Sequence, residues 1–147
     1  MVKVTYKGET RNIPDRYLPK SLTPSQRQKQ IKSIFEGTDR PKLNIKTRKS
    51  SNTIKFNNKY GDRFKNLKGG KSVENISKVV GLPFRALKDV FERGEAAYRS
   101  SGSRPNVTMQ QWSYGRLYGY IMNDPDVRKA DADITKKYKV DFKKIKK

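Results

Sequence analysis

Neither cysteine nor histidine occurs in the chain. The first absence removes disulfides, thiolate metal sites and thiol nucleophiles together, and it fits a reducing compartment. The second removes the most used general base and the imidazole metal ligand. Acidic residues are also scarce: 14 Asp and Glu stand against 35 Lys and Arg, a formal net charge of +21 over 147 residues. No run approaches the roughly 18 apolar residues of a membrane span, and Met1–Lys7 lacks the apolar core of a signal peptide. A soluble protein beginning near Met1 is expected. Hydrophobic residues are 33% of the chain, against the roughly 45–50% typical of globular domains. One packed core is therefore expected, with part of the chain depending on a partner for its order.

What the chain has is positive charge and rings. Self-repulsion at this net charge favours a bound polyanion or an acidic surface: nucleic acid, phospholipid heads or acidic protein. Eight Tyr, six Phe and one Trp are too many for a disordered tail and give a core material to bury. Residues 1–70 hold 18 basic and 5 acidic side chains, and residues 71–147 hold 17 and 9, so the first half reads as the basic arm.

Val2, Val4 and Tyr6 alternate with polar residues, and Lys7-Gly8 can turn the chain back toward Thr10–Ile13 as a short hairpin. Thr23-Pro24-Ser25-Gln26 combines an N-cap, a proline at the first helical position and a capping-box glutamine, which predicts a helix over 24–36 closed by Gly37. Between Arg40 and Lys68 there are ten basic residues and one acid with little periodicity, which predicts an extended arm in which Thr53–Phe56 can pair as a strand. Ser72 caps a helix over 73–80 stopped by Gly81, and Pro83 opens another reaching about Tyr98. After the turn Ser100–Asn106, a capping box from Thr108 to Gln111 starts a helix ending near Asn123. Asp124-Pro125 opens a final helix carrying Val127, Ala130, Ile134 and Tyr138, followed by a frayed basic tail.

Chemistry has few candidates. Asp124, Asp126, Asp131 and Asp133 form the densest acidic group, and a nuclease would use such carboxylates to hold Mg2+. Residues two apart on a helix point roughly 200° away from each other, so the plainer reading has Asp124 and Asp126 at a helix N-terminus and the other two solvating an outer face. Gly69-Gly70-Lys71-Ser72 resembles the end of a phosphate-binding loop, yet Lys65 stands where its earlier glycine is required and no apolar strand precedes it. A hinge before a capped helix is the better reading.

Lys and Arg of residues 40–68 alternate with Phe56, Tyr60 and Phe64, a mixture that can neutralise phosphates and stack on exposed bases. The spacing of four equally makes these rings one buried face, and that alternative is favoured. The helix pair over 73–98 can pass for helix-turn-helix, but Pro83 and Phe84 stand where base-reading side chains belong. Backbone binding is open; no motif supports base reading.

Two segments are more specific than composition requires. One is Pro14-Asp15-Arg16-Tyr17-Leu18-Pro19-Lys20-Ser21-Leu22, followed through a helix by Gly37-Thr38-Asp39-Arg40-Pro41-Lys42. The other is Gly94 with Ala96-Ala97-Tyr98, then Ser101-Gly102-Ser103-Arg104-Pro105-Asn106-Val107-Thr108, then Trp112 and Arg116. Over about residues 14–133 this combination resembles a family of short, basic, functionally uncharacterised proteins of large double-stranded DNA viruses, including giant viruses of algae and amoebae, and of some phages. The resemblance implies a viral source and a virion component, a minor capsid protein. Physically, the Pro14–Leu22 strip is either a stiff extended segment for a groove or a loop tied to the core by Tyr17 and Leu18. Gly102 can take positive φ and Pro105 fixes the chain before a capped helix, so the second segment also reads as a purely structural corner.

The expected fold is mainly α: a compact helical module of about four to five short helices over 71–140, a basic and partly extended region over 1–70 with one helix and a short hairpin, and a basic tail over 141–147. The expected function is non-enzymatic, a minor capsid component bridging capsomers, inner membrane or genome; the alternative is a sequence-nonspecific DNA-condensing protein packaged in the virion. Arg16, Tyr17, Arg104, Trp112 and Arg116 are the candidate anchors for a partner, since Arg and large aromatics dominate interfaces. Arg40, Lys42, Lys46, Arg48, Lys49, Lys55 and Lys59 are the candidate polyanion contacts. Expected partners are capsid proteins, with DNA or an anionic inner membrane surface also open. No catalytic residue, metal, cofactor or small-molecule substrate is expected, and the expected location is the inner face of the capsid, with host cytoplasm during assembly.

Overall fold

The computed structural model describes residues 1–43 and 51–146. Among these the chain is mainly helical, with seven α-helices and one two-stranded sheet, more helices than the four to five expected. Backbone contacts divide the chain into two units: Met1–Arg48 with Glu95–Trp112, and Lys49–Gly94 with Ser113–Lys147. The basic first half contributes to both units, so the division does not follow the linear one at about residue 70. Two clusters of buried side chains stand where one core was expected, because the rings of the basic half are themselves core material.

The first unit begins with the expected hairpin, β1 (Val2–Tyr6) and β2 (Glu9–Ile13), paired so that Val2 faces Ile13 and Val4 faces Arg11. Lys7 and Gly8 both take positive φ, 46° and 82°, the geometry that matches a two-residue turn to the twist of its strands. A 3-10 turn over Asp15–Tyr17 leads to α1 (Pro24–Glu36), which has the predicted capping box from Thr23 to Gln26 and ends at Gly37 with φ 68°. Val4, Ile13, Tyr17, Leu18, Ile31 and Ile34 form the core of this unit, with Trp112 packed against it.

The second unit opens with α2 (Ser51–Tyr60) and a 3-10 turn over Gly61–Phe64. Over residues 51–64 the predicted extended arm, with its strand at Thr53–Phe56, is therefore corrected to helix, and its residues 44–50 lie outside the described residues. Phe56, Tyr60 and Phe64 are all buried, and Phe56 stacks on Tyr118 with centroids 4.3 Å apart. An aromatic every fourth residue thus outweighed the run of lysines between, and the choice between core and stacking falls to core. α3 (Val73–Val80), α4 (Phe84–Ser101) and α5 (Met109–Ile121) follow as the caps predict. α4 and α5 each contribute residues to both units. Where one final helix was expected there are two, α6 (Pro125–Ala130) and α7 (Ala132–Lys137). The break is Asp131, which leaves helical geometry at φ −106°, ψ 20°.

The tail is not frayed through Lys146. Val140, Phe142 and Ile145 pack on the core, the Lys146 amide donates to Val80 at 2.9 Å, and the Tyr60 hydroxyl donates to the Lys146 carbonyl at 2.7 Å. Apolar residues every two or three positions anchor a segment that its charge alone would leave in water. No helix among the described residues is long and apolar enough to cross a membrane.

Candidate polyanion interface

Within the first unit, the two segments that carry the sequence resemblance interlock. Gln30, fully buried on α1, donates through Nε2 to the Tyr17 carbonyl at 3.0 Å and to the Ser103 carbonyl at 2.8 Å. Asn106 pairs with Leu43 in both directions, accepting its N–H at 2.5 Å and donating to its carbonyl at 3.0 Å. Gly102, at φ 91°, lies so close to α1 that an added Cβ would stand 2.8 Å from Ile34 Cγ2. These residues fix the chain path, and the second segment is a structural corner.

That arrangement re-sorts the candidate anchors. Tyr17 is buried, its ring edge-on to Trp112 at 5.8 Å, and Trp112 is half-buried against the same core. The Pro14–Leu22 strip is thus a loop tied to the core, the second of its two readings. Arg116, in the second unit, donates Nε and Nη2 to Asp131 at 3.0 and 2.7 Å. Arg16 is exposed beside the Tyr17 ring, and Arg104 is half-buried with no ion pair among the described residues. Of the three candidate arginines, these two have no ion pair among the described residues.

The polyanion candidates divide as well. Arg40 is 5% exposed and donates to the carbonyls of Ser33, Thr38 and Tyr98 at 2.9, 2.5 and 2.7 Å. Ser33 and Tyr98 lie in the last turns of α1 and α4, so this cation answers two helix C-termini and is not a phosphate contact. Burial lowers its pKa from the ordinary arginine value. Lys42, Lys55 and Lys59 are exposed as expected. Lys46, Arg48 and Lys49 lie outside the described residues.

The acidic group has its own structure. Asp131 is wholly buried, not on an outer face, and is held between Arg116 and Arg93, whose Nη1 lies 3.1 Å from its Oδ1. Arg93 also grips Asp133 with two bonds of 2.7 and 2.8 Å, holding that carboxyl down at about 2. One arginine thus links two aspartates that helical spacing alone directs apart. Asp124 caps α6 and accepts from Asn52 at 2.7 Å, and the Asn52 bond is the main reason its pKa is lowered. Among the described residues no group of three or more acidic side chains could hold a metal ion. In the Gly69–Ser72 segment the Asn75 amide ties down the carbonyls of Lys68 and Gly70 at 2.9 and 2.8 Å, a braced turn before capped α3.

Five further carboxylates are likewise engaged: Glu9, Asp62, Glu74, Asp89 and Glu92 each lie within 4.0 Å of a Lys or Arg nitrogen. Many cations have no such partner among the described residues. Lys3, Lys20, Lys29, Lys32 and Lys42 of the first unit, and Lys55, Lys129, Lys136, Lys139 and Lys144 of the second, are exposed and unpaired. The surface potential is therefore strongly positive.

Sequence reasoning missed one feature of the second unit. A cleft of about 450 Å³ is lined by Lys59, Ile121, Met122, Asn123, Arg128, Phe142, Lys143 and Ile145, with three cations and no carboxylate in its wall. Arg128 lies over the Phe142 ring at 3.6 Å and donates to the carbonyls of Tyr120 and Ile121 at 2.9 and 3.1 Å and to Asn123 Oδ1 at 2.9 Å. It offsets the negative end of α5, leaving Lys59 and Lys143 to set the field of the cleft. The signal available in sequence was Phe142 followed by Lys143-Lys144, passed over as tail.

No curated protein and no solved structure matches the chain. A family model does match, over residues 16–143, a span that includes most of the interlocked segments of the first unit, the Arg93–Asp131 network and most of the basic cleft. The chain belongs to this family, DUF5824, a family of unknown function.

Proposed function

We propose that the protein is a non-enzymatic structural component of a virion, a minor capsid protein that uses its unpaired surface cations to hold acidic surfaces of capsid proteins, inner membrane or genome. The observation that carries the binding part is the asymmetry of pairing: most carboxylates have a partner within the molecule, whereas many exposed lysines have no ion pair among the described residues. A surface of that kind gains most from a dense array of negative charge. The viral and capsid part rests on the sequence resemblance over about residues 14–133. Of the aspartates that a nuclease would need, Asp131 and Asp133 are engaged by arginines and Asp124 caps α6, which supports a binding role over chemistry. Cryo-electron microscopy of the intact particle tests the proposal: ordered density at fixed positions against the capsid shell is expected, and absence of the protein from purified virions overturns it.

A second reading is a packaged, sequence-nonspecific DNA-binding protein, favoured by the cleft in which cations and an aromatic ring share one wall. Its expected signature is DNA affinity that falls steeply with salt. Affinity that is weak and indifferent to salt would remove it.

A further inference from the structure

We infer that the basic cleft of the second unit takes one unpaired nucleotide of a single-stranded nucleic acid, its phosphate between Lys59 and Lys143 and its base against the apolar wall. The inference rests on the nucleic-acid reading above and names its site. Three features of the cleft meet in one ligand. Lys59 and Lys143 are exposed and supply ammonium donors, the groups that neutralise phosphates as point charges. Ile121, Met122, Phe142 and Ile145 supply an apolar wall, which a phosphate alone does not need and a base does. Arg128, stacked at 3.6 Å on Phe142, adds a planar cation of the kind on which bases stack. A paired base is sequestered in its duplex and cannot reach such a wall, so the cleft distinguishes single strands from double strands. Asp124 and Asp141, each next in sequence to a lining residue, are both engaged: Asp124 accepts from Asn52 at 2.7 Å and Asp141 accepts the Lys143 amide at 3.0 Å.

The test uses the full chain and a fluorescent oligothymidylate, with a duplex of equal length and an oligoglutamate as competitors, read by anisotropy across a salt series. The variant K59E/K143E is compared with K3E/K32E, which reverses two exposed lysines of the first unit; circular dichroism melting verifies that both fold. Single-strand affinity is expected to fall at least about tenfold more in K59E/K143E than in the control, with a shallower salt slope. Photocrosslinks from an iodouracil-substituted strand are expected within residues 121–123 and 142–145. Equal losses in the two variants, or crosslinks confined to other segments, overturn the cleft assignment while leaving nucleic-acid binding in place. Displacement of the strand from the wild-type cleft by oligoglutamate in preference to oligothymidylate overturns it in favour of an acidic peptide. No binding of either nucleic acid at low salt overturns the underlying reading together with the site.

Discussion

Arg40 and Tyr98 hold each other three times over: the guanidinium lies 4.2 Å from the ring centroid, Nη2 donates to the Tyr98 carbonyl at 2.7 Å, and the Arg40 amide donates to the Tyr98 hydroxyl at 3.0 Å. The same hydroxyl donates to the Val107 carbonyl at 2.8 Å. Lysine supplies the charge but neither the planar face nor the fork. Arg40→Lys is expected to destabilise the protein by about 2–4 kcal/mol, since bonds to charged groups contribute more than neutral ones and several carbonyls lose their donor. Urea denaturation checks this. Lys42→Glu, two residues on and exposed, is expected to leave stability nearly unchanged while weakening polyanion binding.

Removing Asp131 leaves the Arg93 and Arg116 cations facing a buried space that the carboxylate occupied. Asp131→Ala is expected to cost about 2–3 kcal/mol, below the range for a fully buried pair because both arginines keep part of their surface in water and Arg93 keeps Asp133. Thermal unfolding monitored by circular dichroism measures it. An undiminished midpoint would mean that solvent reaches the two arginines without difficulty.

The pH dependence has an acid and an alkaline limb. Asp133 is held at about 2 by Arg93, below its ordinary value, so its contribution is full above the ordinary carboxylate range and is lost as pH falls from about 4 toward 2. Asp133→Asn is expected to flatten that limb. Tyr118 runs the other way: burial, with Tyr114 beside it, pushes its phenol up to about 12. Between about pH 10 and 12 the unfolded chain ionises this tyrosine and the folded one does not, so stability falls as pH rises. Tyr118→Phe is expected to reduce that loss, read from denaturation midpoints across the range.

Gly102→Ala meets two obstacles, a positive φ of 91° and Ile34 Cγ2 at 2.8 Å from the new Cβ. Overpacking alone costs about 1–3 kcal/mol, and the left-handed backbone adds roughly 1–2 kcal/mol. Pairing Gly102→Ala with Ile34→Ala, which removes the γ carbons that the new Cβ would meet, is expected to recover part of the first cost and none of the second, which a double-mutant cycle of unfolding free energies separates.

Capping chemistry made much of this fold legible. Thr23 with Gln26, Ser72 with Gly81, and Thr108 with Gln111 are each local, and each helix starts or stops where its cap directs. What failed was inference from charge. Lysines between Phe56, Tyr60 and Phe64 read as an arm, whereas a helix needs only one apolar stripe and tolerates any charge on its other faces. Arg40 and Asp131 were misread for a related reason. A charged side chain gives no sign in sequence of whether water or a distant partner satisfies it, and the partners here are 58 residues away at Tyr98 and 38 away at Arg93. The basic cleft was invisible because Lys59 and the 121–145 segment meet only through tertiary packing.

The first unit is discontinuous, Met1–Arg48 completed by Glu95–Trp112, and this has a consequence for how the protein is made. Gln30, Arg40 and Leu43 are synthesised early, yet Ser103, Tyr98 and Asn106, which satisfy them, leave the ribosome much later. At about 5–20 residues per second, the hairpin and α1 wait several seconds with buried-type polar groups open to water. The second unit in turn lacks one strap, Lys146 on Val80 and Tyr60, until residue 146 has been made. Neither unit can close before its later segment has been made, and a chain stopped before Trp112 is expected to be more open to proteases than one that extends beyond it.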